Sequence, residues 1–161
     1  MKTDKPKSKR GVLIIFRDER IAPLVGVTDH KLLGIWAKNC AERVLPYFEA
    51  QFPADDRPRR ALEALQAWTD TGKFSMAVIR KASLDAHAAA REVGEDNPAR
   101  SAARAAGQAV ATAHGRGHAG GAAMYALQAI HRATAAEESE DAIAQEREWQ
   151  YAQLVRLREG V

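Results

Sequence analysis

The sequence predicts an all-α fold: a compact, Ala-rich bundle of about six helices. Three observations carry this expectation. Ala, the strongest helix former, dominates from Ala77 to Ala136, where Gly, Arg, Glu and His replace almost every large apolar residue. Apolar residues recur at spacings of three and four through the Trp- and Phe-bearing stretch 28–76. Helix-start punctuation, Asp55-Asp56-Arg57-Pro58 and Asn97-Pro98, opens two of the segments.

Taken in order, Val12-Leu13-Ile14-Ile15-Phe16 is β-prone and reads either as a short strand or as an arm lying on the helices. A lone strand makes no sheet, so the fold class is unaffected. Thr28 and Asp29 are N-cap types ahead of Leu32/Leu33, Trp36/Ala37, Cys40, Val44 and Tyr47/Phe48, one face of a first long helix. Pro46 is expected to kink it or end its regular part, and Pro53 to close it. The next helix buries Ala61, Leu62, Leu65 and Trp68 and stops at Thr71-Gly72. Ser75 caps a third, with Met76, Ile79, Ala82/Ser83, Ala86 and Ala90 on one face and Gly94 as its stop. Asn97-Pro98 opens a fourth, which the glycine-dense segment 115–121 should break. A fifth carries Met124, Leu127 and Ile130/His131. The last runs from about Ala136 to Glu159, with Glu137, Glu138, Glu140 and Asp141 at its start and Arg156 and Arg158 at its end, complementing the helix macrodipole. Its predicted face is Ile143, Arg147, Tyr151, Leu154 and Leu157.

A chain of 161 residues suits one domain, expected over 12–161 behind a flexible basic tail at 1–11. The net charge of +3 resides in that tail: the first ten residues carry five basic and one acidic side chain, leaving the body near −1. A nucleic-acid binder carries its basic patch on the folded domain, so nucleic acid is an unlikely partner on this reading. The apolar run 12–16 is too short for a secretory signal, and no stretch is long enough to span a membrane, which points to the cytoplasm. The single cysteine, Cys40, excludes an internal disulfide and every zinc pattern built on paired cysteines.

The sequence holds no catalytic constellation. No Gly-x-Ser-x-Gly elbow and no glycine-rich phosphate loop after a strand is present, and Cys40 falls on a buried stripe. A non-enzyme without a cofactor is therefore expected. His114 and His118, at i and i+4, would place two imidazoles on one helical face, and His87 or Asp56 could complete a metal or ligand site if the fold brought them close. Glycines at 115 and 117 weaken a rigid pair, and packing or hydrogen-bonding histidines are the plainer reading. Arg57, Arg59 and Arg60 cluster at a helix start, and Arg100 and Arg104 share a face. They are either solvated or forks for a partner's carboxylates or phosphates. Arg57 has a further reading, an ion pair with Glu49, Asp56 or an acidic residue of a neighbouring helix. Trp36 and Trp68 read as core anchors. Trp149 lies off the best face of the last helix and is a candidate partner contact, with Tyr125 and Tyr151 behind it; a small change of helical phase would turn Trp149 inward instead.

Four blocks in order resemble a known family: Trp36-Ala37-x-x-Cys40-Ala41-Glu42-Arg43-Val44-Leu45; Asp56-Arg57-Pro58-Arg59-x-Ala61 with Trp68; Ala86-His87-Ala88-Ala89-Ala90-Arg91; and Ala111-Thr112-Ala113-His114-x-x-Gly117-His118-Ala119. Over about residues 29–133 they resemble the immunity proteins of bacterial polymorphic toxin systems, the fifth class in that naming. The resemblance implies a mainly helical protein that binds and neutralises a cognate toxin, and it brings no catalytic residues. The candidate contacts are then Arg57, Arg59, Arg100, Arg104, Tyr125 and Trp149. Small-residue faces and the C-terminal helix leave a homodimer open as well.

Overall fold

The computed structural model describes residues 14–160; the expected tail at 1–11, with Val12 and Leu13, lies outside the described residues. The fold is all-helical. Six long helices follow a 3-10 turn, Ile14–Phe16, and a one-turn helix, α1, Ala22–Val25. They are α2 (His30–Glu49), α3 (Arg57–Thr71), α4 (Met76–Arg91), α5 (Pro98–Ala111), α6 (His118–Ala133) and α7 (Ala136–Glu159).

The starts follow the local chemistry. The Asp29 carboxylate accepts from the N–H groups of Lys31 and Leu32, the Ser75 hydroxyl from Val78, and the Asn97 amide oxygen from Ala99. At α3 it is Asp55, not Asp56, whose carboxylate accepts the Arg57 N–H. Gly72 ends α3 and Gly160 ends α7 in the left-handed conformation, at φ of 70° and 74°.

Five local expectations are corrected. The segment 14–16 forms a 3-10 turn, not a strand. Pro46 does not end α2: its ring removes one hydrogen bond, to the Glu42 carbonyl, near the exposed end of the helix, and the helix runs on to Glu49. Met76, expected on the same face of α4 as Ile79, is exposed at the first turn of that helix. Gly94 is not the stop of α4, which ends at Arg91; the left-handed residue of that loop is Asp96, at φ 60°. The glycine segment breaks the chain only over 112–117, and Gly120 and Gly121 lie inside α6.

Helix α5 is the centre of the bundle and packs against α2, α3, α4 and α6. Most of its 14 residues are buried, and nearly all of those are Ala, Gly or Ser. Small side chains let four neighbours approach one helix closely. Most of the large core residues come from the front half, where Trp36, Phe48, Leu33, Leu45, Leu62 and Leu65 are fully buried; Leu127 and Leu154 join them from α6 and α7. Trp36 Nε1 donates to the Gln150 carbonyl at 2.8 Å, tying α7 to α2. The buried line of α7 is Ser139, Glu146, Gln150 and Leu154, mostly polar, with Ile143, Tyr151 and Leu157 only half-buried. Glu146 is held by a two-pronged pair to Arg43, at 2.7 and 2.9 Å.

Candidate functional site

Where α4, α5 and α6 meet, the Ala-rich half assembles its polar side chains. One face of α5 carries Arg100, Arg104, Gly107 and Gln108, at helical spacing. Opposite it, α4 supplies His87, and Arg91 follows one turn on at its end. Helix α6 supplies His118, Tyr125 and Arg132.

The His87 ring lies flat against α5 because residue 107 is glycine: a Cβ there would stand 2.8 Å from ring atoms of His87. Arg104 Nη1 donates to His87 Nδ1 at 3.0 Å, which places the imidazole proton on Nε2. Burial, followed by the Arg104 charge, pushes the His87 pKa from 6.5 down to about 4, so the ring is a neutral acceptor at physiological pH. Gln108 is seated in the same way: a Cβ at Gly121 would meet its Oε1 at 2.8 Å. His118 Nδ1 donates to that Oε1 at 2.8 Å, and burial, then the neighbouring His114, lowers the His118 pKa. The His114 and His118 rings meet edge-on, with centroids 5.0 Å apart.

The arginines of this face are short of counter-charges among the described residues. Arg91, Arg100 and Arg104 have no carboxylate within 4.0 Å among the described residues. Arg132 has only Asp96, at 3.9 Å, and that side chain is 96% exposed. Arg100 donates to the Val93 carbonyl and Arg132 to Ser101 Oγ, which orients both without neutralising them. Burial lowers the pKa of Arg104, the nearby Arg100 and Arg91 charges act the same way, and Tyr125 opposes them. Arg132 is shifted in the same direction, first by burial. The result is a partly buried cationic face on which Tyr125 lies near Arg104 and Arg132.

The other predicted residues lie in different settings. Arg57 bridges Asp55 and Glu92, each at 2.6 Å, and so joins the start of α3 to the end of α4. It pairs with neither Glu49 nor Asp56. Arg59 takes Glu49 at 2.7 Å and Glu42 at 3.4 Å, while Asp56 is exposed and paired with Arg60. Trp149 is half-buried under the Arg43 guanidinium, 4.0 Å from its ring centroid, and Tyr151 is half-buried beneath Arg20. Among the described residues no group of three or more His, Cys, Asp or Glu side chains is placed to hold a metal ion, so His87, His114, His118 and Asp56 do not converge on one. Cys40 is fully buried, and burial pushes its thiol pKa well up.

Sequence reasoning missed Arg91 and Arg132 as members of the face. Their signal was spacing: Arg91 follows His87 by four residues and Arg132 follows Tyr125 by seven, each returning to about the same side of its helix.

The protein is thus a helical bundle whose α4–α5–α6 face carries oriented arginines. A family profile described as "Imm-5 like putative immunity protein" matches residues 24–157. The chain belongs to this Imm-5-like family. No curated protein and no solved structure matches it. Among the described residues no helix is long and apolar enough to cross a membrane.

Proposed function

We propose that this protein neutralises a cognate bacterial toxin in the cytoplasm of the producing cell by stoichiometric binding, without catalysis, and that the α4–α5–α6 face makes the contact. One observation supports that choice of surface. The arginines of the α3 start are spent on Asp55, Glu92, Glu49, Glu42 and Asp56, whereas Arg100 and Arg104 have no acidic partner among the described residues. Oriented, partly desolvated guanidiniums are suited to a bidentate grip on carboxylates. The partner surface is therefore acidic. Leu84 on α4, 54% exposed and one turn ahead of His87, offers an apolar anchor beside the charges.

The test is growth of cells expressing the toxin encoded beside this gene. Wild-type protein is expected to restore growth, and Arg100→Glu/Arg104→Glu to lose protection while remaining folded by circular dichroism. Equal killing with and without the wild-type protein would refute the immunity reading. Full protection by the charge-reversed variant would refute the surface.

A further inference from the structure

The cationic face carries more charge than the helix ends explain. Arg91 and Arg132 lie in the last turns of α4 and α6, where positive charge complements the helix macrodipole. Arg100 does not: it stands in the first turn of α5, the end that disfavours a cation. Arg104 follows it by one turn, so two like charges stack on one helix face, which is also unfavourable. The charges feel one another: Arg100 and Arg91 lower the pKa of Arg104, and Arg100 lowers that of Arg132. Of the described carboxylates only Asp96 comes within 4.0 Å of any of the four, and it is 96% exposed.

Two observations separate this cluster from a merely solvated surface. First, three guanidiniums are each pinned by one neutral acceptor. Arg100 donates to the Val93 carbonyl at 3.2 Å, Arg104 to His87 Nδ1 at 3.0 Å and Arg132 to Ser101 Oγ at 2.9 Å. A guanidinium has five N–H groups, so most of these donors are left for a further acceptor. Second, the anchor of Arg132 is itself built into the core. Ser101 is fully buried among alanines, and its hydroxyl donates on to Gln128 Oε1 at 2.9 Å. Burying a polar pair costs desolvation that an apolar pair would not, and what this pair achieves is the placement of one arginine. The Arg132 side chain keeps 20% of its surface exposed, so a solute can reach it.

A planar carboxylate is served by one or two guanidinium forks. Several neighbouring cations suit a compact dianion whose oxygens point in different directions. The Tyr125 hydroxyl, near Arg104 and Arg132, adds a neutral donor. We propose that Arg100, Arg104, Arg132 and Tyr125 form a binding site for the phosphate dianion, either free or as the terminal group of a small phosphomonoester. The site goes beyond toxin binding: its occupant competes for Arg100 and Arg104 with the acidic surface of the toxin. Its test uses no toxin, so it fails or stands apart from the immunity reading.

The experiment is titration of the full chain at fixed chloride and about pH 8, where phosphate and its monoesters are dianions, followed by protein NMR. The probes are inorganic phosphate, phenyl phosphate, dimethyl phosphate and succinate. Both dianionic phosphates are expected to saturate one site, with shifts centred on Arg104, Tyr125 and Arg132. Dimethyl phosphate, a monoanion, and succinate, a dianion of carboxylates, should bind roughly tenfold weaker. Equal affinity for the two phosphates identifies the free ion as the ligand, and tighter phenyl phosphate identifies a monoester; either supports the site. Arg132→Gln should weaken phosphate binding about tenfold. Ser101→Ala, which keeps that charge and removes its anchor, should weaken it severalfold in a protein still folded by circular dichroism. Arg60→Gln, at the start of α3, should leave it unchanged. The proposal is overturned by absence of saturable phosphate binding, by succinate or dimethyl phosphate binding as tightly as phosphate, or by unaltered binding in either Arg132→Gln or Ser101→Ala.

Discussion

Two glycines inside helices should respond to the same substitution with opposite signs. Gly→Ala in a helix interior gains about 0.5–1 kcal/mol from backbone entropy when the new methyl meets no obstacle. At Gly120 nothing lies within 4 Å of the added Cβ, so Gly120→Ala should show that gain in full. At Gly107 the Cβ would stand 2.8 Å from the His87 ring, closer than real Cβ contacts come, and the imidazole must shift off the helix. Overpacking of that kind costs about 1–3 kcal/mol, so Gly107→Ala should be net destabilising by roughly 0–2 kcal/mol and trail Gly120→Ala by about 1–3 kcal/mol. The displaced ring also loses its burial and the 3.0 Å contact with Arg104. Its pKa should then rise from about 4 toward the ordinary 6.5. Urea denaturation of both variants gives the stabilities, and NMR titration of the histidine ring protons gives the pKa. If both substitutions stabilised equally and His87 still titrated near 4, the close packing of His87 on α5 would be wrong.

The wild-type protein should lose stability on acidification between pH 6.5 and about 4, because the unfolded chain takes up a proton at His87 that the folded chain refuses. After a discount for the ring's partial exposure this amounts to roughly 1–2 kcal/mol, flattened in Gly107→Ala and read from denaturant midpoints across pH. Trp36→Phe leaves the buried Gln150 carbonyl without its 2.8 Å donor and should cost about 1–3 kcal/mol by the same measurement; a cost below a few tenths would show that this bond does not fasten α7. Arg43→Ala strands the buried Glu146 carboxylate and uncovers Trp149, so a loss of about 1–3 kcal/mol and a red shift of tryptophan fluorescence are expected. Cys40 should resist a thiol reagent in the native protein and react only on unfolding, since burial keeps the thiol protonated and out of reach.

Much of the fold was legible because it rests on local chemistry. Asp29, Ser75 and Asn97 cap the helices they precede, Gly72 stops α3, and α7 spans the residues expected from its charge asymmetry. The candidate site was legible only in part. Arg100 and Arg104 share a face by helical spacing alone, and the tertiary structure decided that Arg57 and Arg59 meet acids while these two, among the described residues, do not. The buried line of α7 escaped periodicity because Glu146 and Gln150 are polar. Their burial depends on Arg43 and Trp36, more than a hundred residues away in the chain. The glycines show the same division. Sequence alone marked 115–121 as a place where a helix breaks, since glycine's backbone freedom is an intrinsic property of the residue. That Gly107 and Gly121 are seats for His87 and Gln108, while Gly120 opens onto a cavity, depends on which atoms another helix brings within 4 Å, and only packing fixes that.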